Sequence, residues 1–576
     1  MNRFRGHFLA ELPYICVIMH KNPVLKVAAV TPRVWLADPG RNVEEIVRCA
    51  GEADAEGADI IVFPEMCLTG ATCGDLLKQP LLLEAARKAA EAVAQALAGL
   101  GATLVLGLPV PAEGGFASGA AVIRRGRFVG RDSRFLLVTG DRIPSDLPEG
   151  TSLVLHLAAV PEVVTLHAKR KQALAELTYR TGAAYVYCAA GYGESTGDAV
   201  YAGPSLVYQK GRLLAEAERF RTESGIIFAT LDPSAEAVEP AAAPVPLAVN
   251  AHPFVPSDPE VLATRCEEIL SIQVAGLRTR LEHVGCKTAV LGISGGLDST
   301  LALLVTAATF DSLGMDRKGI IAVTMPGFGT SKRTHSNASD LMAALGVDAR
   351  EIPIGAAVSQ HFSDIGHDPD NHNVTFENAQ ARERTQILMD IANDTDGLVV
   401  GTGDLSEIAL GWCTYNGDHM ANYTVNADVP KTLMQAMVRW AAVNRFPEAR
   451  ETLLDIVDTP ISPELTPVDE HGNIKQKTED LVGPYELHDF FLYHLFRHVR
   501  RPREIRALAV EAFAGKYDEA TVDRWLRKFL WRFFSQQFKR SCSPEGPRVG
   551  SVCLSPRGAW AAPSDVSASL WVSDLD

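Results

Sequence analysis

The segment Ser294-Gly-Gly-Leu-Asp-Ser-Thr300 follows the apolar run Thr288-Ala-Val-Leu-Gly-Ile293 and precedes a helical stretch, Thr300–Leu313. Two adjacent glycines let backbone N–H groups come close to a ligand. Ser294, Ser299 and Thr300 add hydroxyls. A helix N-terminus brings free N–H groups and partial positive charge to the same point. Together these suit an anion the size of pyrophosphate. No lysine follows, so this is not the Gly-x-x-x-x-Gly-Lys-Ser/Thr phosphate loop. Asp298 would repel phosphate unless a cation stood between them. Mg²⁺, held by few carboxylates and by phosphate oxygens, is therefore expected there. The bland alternative is a glycine turn with a helix cap, which the strand before and the helix after disfavour.

Other elements must position that loop. Beyond it, Gly319-Ile-Ile-Ala-Val-Thr324 and Gly397-Leu-Val-Val-Gly401 read as further strands. Helices are expected at 300–313, 334–345 and 377–393. Fully apolar strands alternating with helices imply a doubly wound parallel sheet. Ligands bind such sheets beyond the carboxyl ends of the strands. The N-terminal part also alternates. Strands are expected at 25–30, 60–63, 103–107, 120–123 and 205–208, and helices at 42–55 and 81–100. Between the two parts, Asp232 to Ser257 holds six prolines among many alanines. That composition opposes helix and marks a linker. The expected organisation is an extension over 1–22, a domain over 23–231, a linker over 232–257 and a second domain over 258–576. The fold class is α/β throughout.

Composition narrows the functions. The chain has 576 residues, 47% hydrophobic and 22% charged, as in a soluble enzyme of two or three domains. Its net charge of -15 makes nucleic acid a poor partner. Ten cysteines without a Cys-x-x-Cys pair suit reduced thiols in a cytoplasm rather than a disulfide scaffold or a Cys-rich zinc site. No run of about 18 apolar residues is present, so no membrane span is expected.

The loop Ser-Gly-Gly-x-Asp-Ser resembles that of the ATP pyrophosphatases, enzymes that form adenylated intermediates. Longer stretches look like NAD synthetase: Thr324-Met-Pro-Gly-Phe-Gly-Thr330, Glu377-Asn-Ala-Gln-Ala-Arg-Glu-Arg-Thr385 and Gly401-Thr-Gly-Asp-Leu-Ser-Glu-Ile-Ala-Leu-Gly-Trp412. So do Asn426-Ala-Asp-Val-Pro-Lys-Thr432, Asp458-Thr-Pro-Ile-Ser-Pro-Glu464 and Phe538-Lys-Arg-Ser541. The resemblance implies a C-terminal sheet of the ATP pyrophosphatase type. It also implies a reaction: ATP adenylates the nicotinate carboxylate of deamido-NAD, and ammonia then displaces AMP to give NAD. Positions matching Gly292, Ile293, Ser294, Gly295, Gly296, Leu297, Asp298, Ser299 and Thr402 line the ATP site in that family. Asn378, Glu407, Trp412 and Lys539 match positions that contact deamido-NAD. Asp298 and Glu407 would share Mg²⁺. Trp412 could stack on a flat ring, and Lys539 could meet an anionic group. Gly327-Phe-Gly-Thr-Ser-Lys-Arg333 matches a mobile loop over the phosphates. At least a dimer is implied.

Phe63-Pro-Glu65-Met-Cys-Leu-Thr-Gly70 resembles the nitrilase-type amidase, an αββα sandwich that frees ammonia from glutamine in glutamine-dependent NAD synthetases. The similarity resumes at Ala184-Tyr-Val-Tyr187, Gly193-Glu-Ser-Thr196 and Arg219-Phe220. Such amidases use a glutamate base, a lysine and a cysteine nucleophile. Glu65 is present. Ser133-Arg134 stands where a Pro-Lys pair is expected, and arginine does not replace a point ammonium. The cysteine precedes a strand that reads here His156-Leu-Ala-Ala-Val160, with Ala158 for a glutamine-contacting serine. Too few residues separate that strand from Arg134 for the usual intervening strand, and no cysteine lies between Cys73 and Cys188. Three readings stay open: an NAD synthetase fed by free ammonia, with Glu65 vestigial; the same ligase hydrolysing glutamine through another nucleophile; and a non-catalytic dinucleotide-binding assembly protein. A metal among His361, His367, His372 and their neighbouring aspartates is disfavoured, and His494 and His498 are read as structural.

Overall fold

The computed structural model describes residues 9–10, 24–112, 115–130, 135–241, 249–459 and 478–576. The expected extension (residues 9–10 apart), Ser133-Arg134, part of the linker and most of Asp458–Glu464 lie outside those residues. The chain forms two compact units. The first runs to Ser195 and resumes at Val200; the second holds Thr196–Ala199 and the C-terminal part.

In the first unit one sheet has the order β1 (Leu9–Ala10), β5 (Gly115–Arg124), β4 (Thr103–Ala112), β3 (Ile60–Val62), β2 (Leu25–Thr31), β12 (Gly225–Leu231), with β6 (Arg127–Phe128) beside β5. A second sheet has the order β11 (Arg212–Glu216), β10 (Leu206–Gln209), β9 (Ala184–Ala189), β8 (Leu153–Ala158), β7 (Leu136–Thr139). Side chains alternate across each strand. Val27, Ala29, Ile60 and Val62 join Leu155, Leu157, Val186 and Cys188 between the sheets. Ala28, Val30 and Ile61 face the other way, onto the buried sides of α1 (Pro39–Ala55) and α2 (Pro80–Ala96). Helix α3 (Leu166–Thr181) covers the second sheet through Leu174 and Leu177. The result is the helix–sheet–sheet–helix layering expected of a nitrilase-like sandwich.

One expectation is corrected. The stretch between Arg134 and His156 does hold a strand: β7 runs parallel to β8, Leu136 opposite Val154 and Thr139 opposite Leu157. Four residues suffice to complete the sheet edge, at about 3.3 Å each, and 140–152 return as a loop.

The second unit carries five parallel strands in the order β15 (Asp348–Glu351), β14 (Ile320–Thr324), β13 (Ala289–Gly292), β16 (Leu398–Gly401), β17 (Tyr423–Thr424). The strand order reverses between β13 and β16. That is the crevice in which open α/β sheets bind ligands. Helices α4 (Pro259–Val284) and α5 (Leu297–Ser312), then α6 (Lys332–Leu345), α7 (Gly355–Ile365) and α8 (Val374–Asp394), accompany β13 to β16. After β16 come α9 (Leu405–Leu410), α10 (Lys431–Asn444), α11 (Arg450–Val457) and α12 (Thr478–Val482). A helical group follows: α13 (Tyr485–Arg497), α14 (Pro502–Ala512), α15 (Glu519–Ser535), α16 (Gln537–Arg540) and α17 (Ser569–Ser573). Leu301 to Val305 of α5 are wholly buried, which makes this helix the spine of the unit. Among the described residues no helix is long and apolar enough to cross a membrane.

Gly107 tests the packing of the first unit. A Cβ there would lie 2.3 Å from the Pro64 carbonyl oxygen and 2.5 Å from the Glu65 Cα. Gly107→Ala therefore forces backbone against backbone, an overpacking expected to cost about 1–3 kcal/mol. Differential scanning calorimetry checks it: the transition of this unit should fall by several degrees.

Candidate functional site

The loop after β13 is shaped by its own hydroxyls. The Gly296 N–H donates to Ser294 Oγ (3.1 Å), and the Ser294 N–H reaches Ser299 Oγ (3.3 Å). Gly295 has φ +82° and sits so close to α6 that a Cβ would fall 2.0 Å from the Thr334 carbonyl oxygen. Only glycine fits there. Gly296 caps α5 without a side-chain acceptor, so the first N–H groups of that helix remain available to a ligand. Asn426 ties the two sides of the crevice together. Its Nδ2 donates to the carbonyls of Asp298 (3.0 Å) and Thr402 (3.2 Å).

Three carboxylates converge at this crevice, with one ammonium among them. Lys431 Nζ lies 2.6 Å from Asp298 Oδ1, 2.6 Å from Asp404 Oδ2 and 3.0 Å from Glu407 Oε1. Lys431 and Asp404 are buried, and Asp298 and Glu407 keep side-chain exposures of 24% and 19%. Asp404 also caps α9, accepting from the Glu407 N–H at 2.7 Å. Burial pushes the Asp404 carboxyl well up and the Glu407 carboxyl to about 7, against the pull of Lys431. Burial works against the Lys431 ammonium, but the three carboxylates more than offset it and hold its pKa above the ordinary lysine value. One ammonium cannot balance three carboxylates, so the cluster has room for further positive charge. Its ligand atoms lie within 4.8 Å of one another. Hard oxygen donors of this kind fit Mg²⁺.

Beside the cluster is a pocket lined by Thr402, Glu407, Asp418, His419 and Lys539, among others. Lys539 Nζ donates to the Gly411 (2.8 Å) and Cys413 (2.6 Å) carbonyls. Asn378 Oδ1 accepts from Thr414 Oγ1 at 2.7 Å. Trp412 is half-buried, with the Arg532 guanidinium 5.1 Å from its ring centroid. Of the 327–333 loop, Ser331 already caps α6 and Arg333 pairs with Asp455 at 2.6 Å. Among the described residues the histidine–aspartate stretch 361–372 forms no metal cluster. His494 packs on Phe490, as expected of a structural residue.

In the first unit Glu65 follows β3. Burial pushes its carboxyl up, and the charge of Asp141 acts in the same sense. The Ser118 hydroxyl and the N–H groups of Ala159 and Gly140 act in the opposite sense. Gly140 and Asp141 follow β7 directly, so the end of that strand comes to Glu65. The thiols lie elsewhere. Cys67 donates to the Gly107 carbonyl, Cys73 to that of Thr69, and Cys188 to those of Val30 and Val62. Burial pushes Cys67 up to about 12 and Cys188 higher.

Comparison with known proteins accounts for both units. Residues 269–516 match the NAD synthase family and residues 26–153 the carbon-nitrogen hydrolase family. The chain is 35% identical to the glutamine-dependent NAD(+) synthetase of Mycobacterium leprae, over 96% of this chain and 98% of that protein. The chain belongs to the NAD synthetase family. The Mycobacterium tuberculosis enzyme of the same description is likewise 35% identical, over 97% and 98% of the two chains. The fold matches the glutamine-dependent NAD(+) synthetase of Cytophaga hutchinsonii with TM-score 0.77 at 17% identity, covering 96% of this chain and 100% of that one. It matches the Acinetobacter baumannii enzyme, solved with adenosine diphosphate, with TM-score 0.61 at 21% identity, over 94% and 98%.

The fold brings Asp298 and Glu407, paired in the sequence by expectation, onto one ammonium, and it adds Asp404 and Lys431, which were not singled out there. Both lay inside quoted motifs. A lysine at the start of a helix, 24 residues beyond Glu407, gives no sign in the sequence of turning inward.

The raised Glu407 carboxyl has a consequence for stability. A carboxyl held up to about 7 keeps its proton in the folded chain after the unfolded chain has released it near 4.5. Folding stability from this group is therefore full below about pH 4.5 and is lost as pH rises through about 7. Thermal melts at pH 5 and pH 7.5 should show Glu407→Gln gaining on the parent chain as pH rises.

Proposed function

We propose that the second unit amidates deamido-NAD to NAD at the expense of ATP, and that the nitrogen comes from free ammonia. The observation that carries the first part is the Asp298–Asp404–Glu407–Lys431 cluster, set between the glycine loop after β13 and the helix after β16. The glycine loop and the free end of α5 receive the phosphates. The binding of adenosine diphosphate by the A. baumannii protein supports an adenine nucleotide as ligand. A carboxylate oxygen of the pyridine attacks the α-phosphorus, and the bond to pyrophosphate breaks. Ammonia then attacks the acyl carbon, the bond to AMP breaks, and the nitrogen releases one proton.

This chain's residues handle the charge in that sequence. A nucleophilic carboxylate must approach a polyanion. Lys431 offsets part of the carboxylate charge at that point, and it is already in place at the moment of reaction. Asp298 and Glu407, with Asp404, would hold Mg²⁺, which when bound screens the phosphate oxygens. Asn378, Trp412 and Lys539 would contact the dinucleotide. At least a dimer is part of the proposal.

The ammonia reading rests on the first unit. Its thiols among the described residues are buried, and Cys67, Cys73 and Cys188 are bonded to backbone carbonyls. A nucleophilic cysteine needs the thiolate. Glu65 is retained, and both its burial and the charge of Asp141 push its carboxyl up. The second reading, glutamine hydrolysis by the same chain, is favoured by the glutamine-dependent relatives and by the retention of Glu65.

Purified protein with deamido-NAD, ATP and MgCl₂ should release NAD, AMP and pyrophosphate when ammonium chloride is supplied, and glutamine should not replace it. Asp298→Ala should lower kcat/KM at least about a hundredfold. Turnover on glutamine as fast as on ammonium would overturn the ammonia reading. No NAD from either donor would overturn the whole.

A further inference from the structure

Helix α10 begins at Lys431, and its N-cap is Pro430, which offers no side-chain acceptor. The first N–H groups of a helix need partners. Here other helices supply them. The Lys431 N–H donates to Ser406 Oγ at 2.9 Å, and the Thr432 N–H donates to Asp489 Oδ2 at 2.9 Å. Thr432 Oγ1 donates to the same carboxylate oxygen at 2.7 Å. Ser406 in turn donates its hydroxyl to Asp489 Oδ1. One carboxylate on α13 therefore holds the first turn of α10 and, through Ser406, the residue before Glu407 on α9. Asp489 and Ser406 are each 1% exposed.

Four residues before Asp489, on the same helix face, Tyr485 lays its ring against the ammonium, 5.2 Å from Lys431 Nζ. It is buried, and among the described residues its hydroxyl has no hydrogen-bond partner. The bonds of Asp489 end on the two helices that carry Glu407 and Lys431.

We propose that Asp489 is a positioning residue for the reaction: it caps α10 from α13 and locks α9 to it, so that Lys431 and Glu407 meet Asp298 at one point. The assignment rests on the cluster being the ATP and metal site proposed above. A buried carboxylate that accepts three hydrogen bonds is a fixed anchor, because leaving any of those donors unpaired is costly. Loss of the anchor would let the first turn of α10 shift, and Lys431 sits in that turn. Partners one shell removed from a metal or phosphate typically change its affinity or turnover about ten- to a hundredfold.

The test compares the unaltered chain, Asp489→Asn and Ser406→Ala in the ammonium-driven synthesis of NAD, varying MgCl₂ and ATP. Circular dichroism serves as the check of folding. Asp489→Asn should lower kcat about ten- to a hundredfold and raise the half-saturating Mg²⁺ concentration. Ser406→Ala, which breaks only the link to α9, should move both in the same direction by less. Asp489→Glu, which restores the carboxylate, should recover part of the loss. A purely structural role would lower the melting temperature and leave the Mg²⁺ dependence and kcat of the folded fraction unchanged; that result overturns the proposal. Should Asp489→Asn not fold, Ser406→Ala with unaltered kcat and Mg²⁺ dependence overturns it equally. An unaltered chain that makes no NAD sinks the reading of the site instead, so the two failures are distinct.

Discussion

A lysine ammonium surrounded by three carboxylates is the interaction on which the catalytic unit depends. Taking such charges out of water costs several kcal/mol per ion unless their partners are close and well placed. Here they are close: two contacts of 2.6 Å and one of 3.0 Å. The carboxylates come from the start of α5 and from α9, and the lysine from the start of α10. None of these segments could move alone without stranding a buried charge. The surplus of negative charge then gives the crevice its chemistry. It asks for a cation, while the glycine loop beside it asks for an anion. The proposed nucleotide with its metal would satisfy both.

The same physics reads differently in the first unit. Its sheets pack a dry interior of Val, Ile, Leu and Ala, and Cys188 belongs to that interior. A thiol in such surroundings is a small hydrophobe rather than a nucleophile. Glu65 lies beside the end of β7, where Gly140 and Asp141 follow the strand. A general base gains nothing from a neighbouring carboxylate unless a cation or a proton is shared between them. The stability of the sandwich comes from the apolar faces of the two sheets and the helices on them.

Much of the framework was legible from periodicity. Apolar runs such as Ala289–Gly292 and Leu398–Gly401 can only be strands buried on both faces, and both sit where expected. The glycine loop was legible because adjacent glycines between a strand and a helix have few other uses. Strand β7 was not, since Leu136-Leu-Val-Thr139 is too short to show a period and acquires its meaning only from pairing with β8. Trp412 was read for its flat ring, yet Arg532, 120 residues further along the chain, lies against it.

The amino-acid sequence by itself determined the two-part α/β organisation, the glycine loop with its aspartate, and the absence of a cysteine between Cys73 and Cys188. These follow from residue type, spacing and composition, which are local. Only the tertiary structure decided that Asp404 and Lys431 join Asp298 and Glu407, that Asp489 caps a helix other than its own, and that the Gly140 N–H reaches Glu65. Those facts depend on segments far apart in the chain meeting at a sheet edge. Burial then turns ordinary charged residues into obligatory partners, because a low-dielectric interior leaves no water to satisfy them.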